Sequence, residues 1–330
     1  MLKLHKMKSK IIIIISLSLL LAVVLFMAWD MFYNNPDDNV NPYAYDLKSL
    51  RSGDTTKILY EETGHFSPEL SAIHGVDVDK SDRICICGDN GVEIFNPAGD
   101  RESGFPISGT AGSICVDEGG RIYLGMQDHV EIYDKTGKKL MQWTSCGKDA
   151  IITSIKVSGK DVYLADAGNK VVYHFDQRGN LLKKIGEKDP ERRIPGFIVP
   201  SPYFDLGIGR KGELWVVNPG RHQFEKYDGA GDLISSWGES SMSMEGFCGC
   251  CNPSNFAMLS DGSFVTAEKG IERLKVYSPA GVFRCVVAGP DSFIEGTRGI
   301  DVAVDSKDRI LVLDPEKKEV RIFTMKKPGN

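Results

Sequence analysis

Basic charge is not in excess: 40 Lys and Arg stand against 45 Asp and Glu, giving a net charge of −5 at pH 7. Setting aside the four lysines among the first ten residues leaves −9 for the rest, so the body carries no electrostatic footprint for nucleic acid. Beyond the first 30 residues no amphipathic helix of useful length is found, and nothing there competes with a β architecture. Catalytic motifs are missing as well, with neither a nucleophile elbow nor a paired-His metalloprotease motif. "GIGRKG" (207–212) matches a dinucleotide-binding pattern but precedes a strand instead of following one, so it is a turn. "DVDKSD" (77–82) lacks the glycine a calcium loop needs at its sixth place. "NPS" at Asn252 is excluded as a glycan acceptor by its proline.

One long apolar run is present. Residues 11–29, "IIIIISLSLLLAVVLFMAW", carry no charge, and 19 residues at about 1.5 Å each nearly span a hydrocarbon core of about 30 Å. Lys3, Lys6, Lys8 and Lys10 precede the run, and Asp30, Asp37 and Asp38 follow it. This bias predicts a cytoplasmic basic leader (1–10), a single-pass membrane anchor (11–29) and a body on the periplasmic or extracellular side. A cleaved signal peptide is the rival reading; "LFMAWD" is a poor cleavage site, which favours the anchor. Residues 30–56, rich in Asn, Asp, Pro and Ser, read as a flexible linker. Outside the cytoplasm the eight cysteines can form disulfides.

The body is a repeat. "RICIC" (83–87), "RIYLG" (121–125), "DVYLA" (161–165), "ELWVV" (213–217), "SFVTA" (263–267) and "RILVL" (309–313) each follow a polar turn, in steps of 38, 40, 52, 50 and 46 residues. Each unit continues with a pair ending in an aromatic residue ("IF", "IY", "HF", "KY", "VY", "IF"), and in five of the six a turn follows: "NPAG", "DKTG", "DQRG", "DGAG" or "SPAG". Short strands between Gly and Asp turns at this spacing predict an all-β, six-bladed propeller with four-stranded blades over residues 57–326, followed by a tail, 327–330. The sixth unit stops after "VRIFTM", one strand short, and "KILYEETG" (57–64) is predicted to complete it and close the ring. The repeated elements "GVDVDKSDRICIC" with "VEIFNPAGD", and "GIDVAVDSKDRILVLD" with "VRIF", resemble the NHL-repeat family of six-bladed propellers from about Lys57 to Met325. That resemblance implies a recognition platform, although related rings include metal-dependent lyases and lactone hydrolases. Blade 2 departs from the pattern, with Met126 where Asp166, Asn218, Glu268 and Asp314 stand at the strand ends of blades 3 to 6.

Alternating strand direction puts the short first-to-second and third-to-fourth turns on one face. The opposite face receives the long links "TSCGKDA" (144–150), "EKDPERRIPGFIVPS" (187–201) and "ESSMSMEGFCGCCNP" (239–253), and long loops on a rigid scaffold are where binding groups gather. The candidate binding or redox loop on this variable face comprises Cys146, Cys248, Cys250, Cys251, Asn252 and Asn255. Its cysteines have three readings: disulfide staples, with adjacent Cys250 and Cys251 taking different partners; a thiolate metal site, although C-x-C-C is not the usual zinc spacing; or reactive thiols, which need a positive setting that the loop does not itself supply. The loop is predicted to lie across the ring's mouth near Cys146. His65, His129 and His222 map to the same face as candidate metal ligands, a metal ion being the one cofactor these residues suggest. Asp166, Asn218, Glu268 and Asp314, at strand ends, are candidate polar groups of the channel mouth. The reading is therefore a membrane-tethered recognition platform for another envelope or surface protein, with a redox or metal-handling component and a propeller lyase or lactone hydrolase as alternatives.

Overall fold

The computed structural model describes residues 2–33, 55–192 and 194–327. Two compact units are present, residues 1–46 and 47–330. Among its described residues the first contains a helix, Leu2–Tyr33, longer than the predicted anchor because the lysine-bearing leader continues it. Its Ile13–Asp30 segment is long and apolar enough to cross a membrane, and its large side chains between Ile13 and Trp29 are exposed. Most of the predicted linker and the last three residues of the tail lie outside the described residues.

The second unit is a six-bladed β-propeller. Blade 2 runs outward through Ser113–Val116, Ile122–Gly125, Val130–Tyr133 and Lys139–Gln142, all antiparallel. Blades 3, 4 and 5 repeat the order from the inner strands Ile152–Ser158, Leu206–Ile208 and Asn255–Met258. In blade 1 one element, Ile84–Phe95, occupies the second and third positions between Ile73–Val78 and Arg101–Thr110. Its partner changes from the first of these to the second around Asn90, whose φ is 61°. Blade 6 takes three strands from the C-terminal end, Asp301–Val304, Ile310–Asp314 and Glu319–Met325. Its fourth is Tyr60–Phe66, in register from Tyr60 opposite Met325 to Phe66 opposite Val320. The ring closes as the sequence predicted, except that Ile58 bridges Val286 in blade 5 instead of joining the closing strand.

The repeated turns have a common cause. In "DKSDR", "DEGGR" and "DSKDR" the leading aspartate (Asp79, Asp117, Asp305) accepts backbone N–H bonds from the residues two and four places on, and binds the arginine guanidinium. A short polar side chain thus satisfies amides that the hairpin leaves unpaired. The x-x-x-Gly turns work alike: Asp134 and Asp176 each accept two such N–H bonds, and the closing glycines Gly137 and Gly179 both have φ of 84°. At Gly137 a Cβ would also come within 2.4 Å of Phe105 in the outer strand of blade 1, so only glycine fits both the dihedral and the seam.

Among the described residues there is no single central core. Six apolar clusters form instead, one at each seam between adjacent blades. Inner-strand carboxylates add polar links across seams: Asp77 accepts from Val116 N at 2.8 Å, Asp205 from Phe256 N at 2.7 Å and Asp301 from Val76 N at 2.9 Å. Turn contacts link blades 5, 6 and 1 on the short-turn face, where Asp308 accepts from Ser260 and Asp82 from Ser306.

Candidate functional site

The start of each inner strand, or the link leading into it, contributes to a cavity of about 280 Å³ on the ring axis. His74, Gly112, Thr153, Tyr203, Asn255 and Arg298 bring one residue from each blade in turn, on the variable face. His74 Nε2 lies 3.0 Å from Asp89 Oδ1, which also accepts the Thr110 hydroxyl at 2.7 Å; these bonds, with Thr110 first, hold the Asp89 carboxyl below its usual range. Burial raises the Tyr203 phenol, with Arg298 pulling it the other way. Arg298 is exposed, and among the described residues it makes no ion pair. Deeper along the axis, Asp205 and Asp301 occupy the strand positions between this cavity and a second one of about 210 Å³ lined by Asp77 and Lys156. Both carboxyls are raised by burial, Asp301 to about 7 with Asp205 adding to the effect. The strand positions between the two cavities thus carry two carboxylates hydrogen-bonded to backbone amides.

The long loop from blade 4 to blade 5 does not lie across this mouth as predicted. Its first part is packed into the seam, with the Phe247 ring between Trp237, Phe224 and Tyr277 at centroid distances of 6.2, 6.1 and 5.3 Å. Beneath it lie three buried charges. Glu268 binds Arg273 at 2.9 Å and contacts Lys275; the Lys275 ammonium donates to Gly246 O at 2.6 Å and Met244 O at 3.1 Å. Arg273 Nη2 approaches the Cys248 sulfur at 3.7 Å. Burial, then Glu268, pushes the Cys248 thiol up, while Arg273 and Lys275 oppose that shift. The positive setting that the loop's own sequence lacks is supplied by blade 5.

The exit of the loop reaches the mouth. Asn252 is fully buried and works as a clamp: its Nδ2 donates to Cys248 O at 2.7 Å and Lys269 O at 2.9 Å, and its Oδ1 accepts Lys269 N at 2.9 Å. Lys269 stacks over the Tyr203 ring at 4.8 Å. Cys251 adopts φ of 66°, and its sulfur lies 2.8 Å from that of Cys250. The expectation that these two side chains diverge is overturned, because the left-handed backbone at Cys251 turns it back toward its neighbour. All eight cysteines are free thiols in the structure. Cys146 packs against the apolar layer between blades 2 and 3 and answers to Asp166 and Asp128, not to the loop.

The three candidate histidines do not converge. His65 lies in the closing strand against Glu62 at 3.2 Å, His129 against Asp128 at 2.7 Å, and His222 Nδ1 donates to Asn252 O at 3.1 Å. Among the described residues no group of three or more His, Cys, Asp or Glu could hold a metal ion. The four strand-end polar residues are buried and line neither axial cavity. Asp166 accepts from Ile151 N, Gly168 N and Asn169 N; Asn218 accepts Ile198 N and donates to Glu225; Asp314 accepts Lys317 N and faces Arg321; Glu268 is the anion of the blade 5 triad. Of the predicted residues, Asn255 alone lines the mouth cavity. His74, Tyr203 and Arg298 are the additions, and they belong to no repeat pattern.

The buried thiols and phenols make a pH prediction. Burial pushes Cys115 up to about 12, Cys146 and Cys285 to about 11, and Tyr60 and Tyr123 to about 12. Unfolded, such groups ionise near about 8.5 for Cys and about 10 for Tyr. The unfolded chain thus releases protons that the fold retains, so the stabilisation is complete below about pH 8.5 and declines as pH rises toward 11. Lys275, pushed down to about 8 by burial, has the opposite sign, but it is one group against five. Under reducing conditions the melting temperature should fall continuously from pH 8.5 to 11 in circular-dichroism melts; a flat profile would contradict this.

No protein-family model and no curated protein matches the chain. Among solved structures the propeller is similar to virginiamycin B lyase from Staphylococcus aureus, with a TM-score of 0.58 and 11% identity over 81% of this chain and 100% of that one. It is also similar to a protein of unknown function from Bacteroides thetaiotaomicron (0.60 and 12%, over 80% and 73%) and to the WD40 propeller domain of Doa1 (0.54 and 15%, over 81% and 97%). At these identities the likeness shows the fold alone: the chain carries an N-terminal apolar helix and a six-bladed β-propeller.

Proposed function

We propose that the chain is a membrane-tethered, extracytoplasmic recognition platform of NHL type that holds another envelope or surface protein on its variable face. A carboxylate-bearing group of the partner seats in the axial mouth. The observation that carries this reading is the mouth cavity itself, with Arg298 on its wall, exposed and free of ion pairs among the described residues. Polar groups around apolar walls such as Ile73, Ile152 and Phe204 are the usual make-up of a binding cleft. The exposed apolar helix and the lysine bias before it support the tether and the side. In detergent-solubilised membranes, the partner retained by the wild-type protein should bind Arg298→Glu at least about tenfold more weakly, because the reversal sets like charges together. The melting temperature should stay within about 2 °C, since Arg298 is exposed. Undiminished retention by Arg298→Glu would overturn the mouth as the seat.

A further inference from the structure

We propose that Cys250 and Cys251 form a thiol–disulfide exchange site that takes disulfides as substrate, independently of what the mouth binds. Three observations converge on it. The two sulfurs stand 2.8 Å apart, within reach of a bond at about 2.05 Å. They differ in access, Cys250 being exposed and Cys251 only 1% exposed. Their mount is rigid, since Asn252 locks the following backbone to Lys269 and Cys248 by three hydrogen bonds, and His222 adds a fourth.

The asymmetry assigns roles. Cys250, as thiolate, attacks the substrate disulfide; that S–S bond breaks, a mixed disulfide forms on Cys250, and the first substrate thiol leaves with a proton. Cys251 then attacks the Cys250 sulfur, the mixed disulfide breaks, and the second substrate thiol departs. The protein is oxidised by two electrons, the substrate is reduced by two, and the protons of Cys250 and Cys251 end on the two product thiols. Cys248 is excluded as the resolving thiol by its place under the loop against Arg273, and Cys146 by its place in the blade 2–3 layer. Burial, then the hydrogen bond with Cys250, raises the Cys251 thiol, while Ser201 and Lys269 pull it the other way.

The probe is glutathione disulfide, added to the full-length protein in detergent after reduction and removal of reductant. Wild-type protein should release two glutathiones per chain, lose two hydrogen atoms by mass, and map one new disulfide to Cys250–Cys251. Cys251→Ser should release one glutathione and stop as a Cys250 adduct; Cys250→Ser should not react at this loop. Cys251→Ala repeats the trap, and a melt of each variant identifies any that fails to fold. A stable glutathione adduct on wild-type Cys250, a disulfide from Cys250 to Cys248 or Cys146, or no reaction at either thiol would each overturn the proposal.

Discussion

Replacing Glu268 with glutamine should destabilise the propeller by about 3–5 kcal/mol, the range for breaking a buried ion pair by removing one partner. Glu268 is 1% exposed and is the anion that faces both Arg273 and Lys275, themselves 2% and 0% exposed. Without it, two cations remain buried with loop carbonyls, sulfurs and aromatic faces but no anion as partners. Lys275→Met should cost markedly less, because the Glu268–Arg273 pair survives and an apolar chain still fits against the Phe247 and Tyr277 rings, 4.6 and 5.1 Å from the ammonium. At about 2–4 °C per kcal/mol for a domain of this size, Glu268→Gln should lower the melting temperature by roughly 10 °C. It should also expose Cys248 to alkylation at temperatures where the wild type is protected. Equal costs for the two substitutions would show that the triad does not hold the loop.

Removing the closing strand should cost at least as much. Tyr60 is 3% exposed and belongs to the seam between blades 5 and 6; Phe66 packs against the seam between blades 6 and 1. Burying the tyrosine contributes about 1.5–3 kcal/mol and the half-buried phenylalanine somewhat less. The strand also carries Glu62, which pairs with Arg321 at 2.5 Å, and it covers the edge of Glu319–Met325. Deleting residues 1–66 would open two seams at once, strip an ion pair and bare a strand edge that recruits other chains. Deletion of residues 1–54 leaves all of this in place. The longer deletion should yield an aggregating or molten protein while the shorter melts like the full chain; equal melting temperatures would refute closure by this strand.

The fold was legible because its physics is local and repeated. Asp79, Asp117 and Asp305 each close the same hairpin, and the glycine of "DKTG" or "DQRG" fits one dihedral and one neighbouring aromatic ring. The missing sixth outer strand could be found by subtraction. The site was less legible, and particular residues show why. In "IERLKVY" alternation places Arg273 and Lys275 on a solvent face, yet residues 239–248 fold over that face and bury both. Cys250 and Cys251 diverge on an extended backbone, and nothing in "CGCCNP" announces that Cys251 is left-handed. Asp166, Asn218 and Asp314 do sit where the repeat puts them, but their oxygens are used by backbone amides. His74, Tyr203 and Arg298 are single residues at the starts of inner strands, brought together only by the closing of the ring.

That the variable face around the axial mouth is the working face can be tested most directly by site-specific photocrosslinking in intact membranes. A photoreactive phenylalanine analogue replaces Tyr203 at the mouth or, in a separate protein, Lys135 in the third-to-fourth turn of blade 2 on the opposite face. The account predicts a discrete crosslinked species from position 203, abolished by Arg298→Glu, and none from position 135. A crosslink from position 135 with none from position 203 would contradict it.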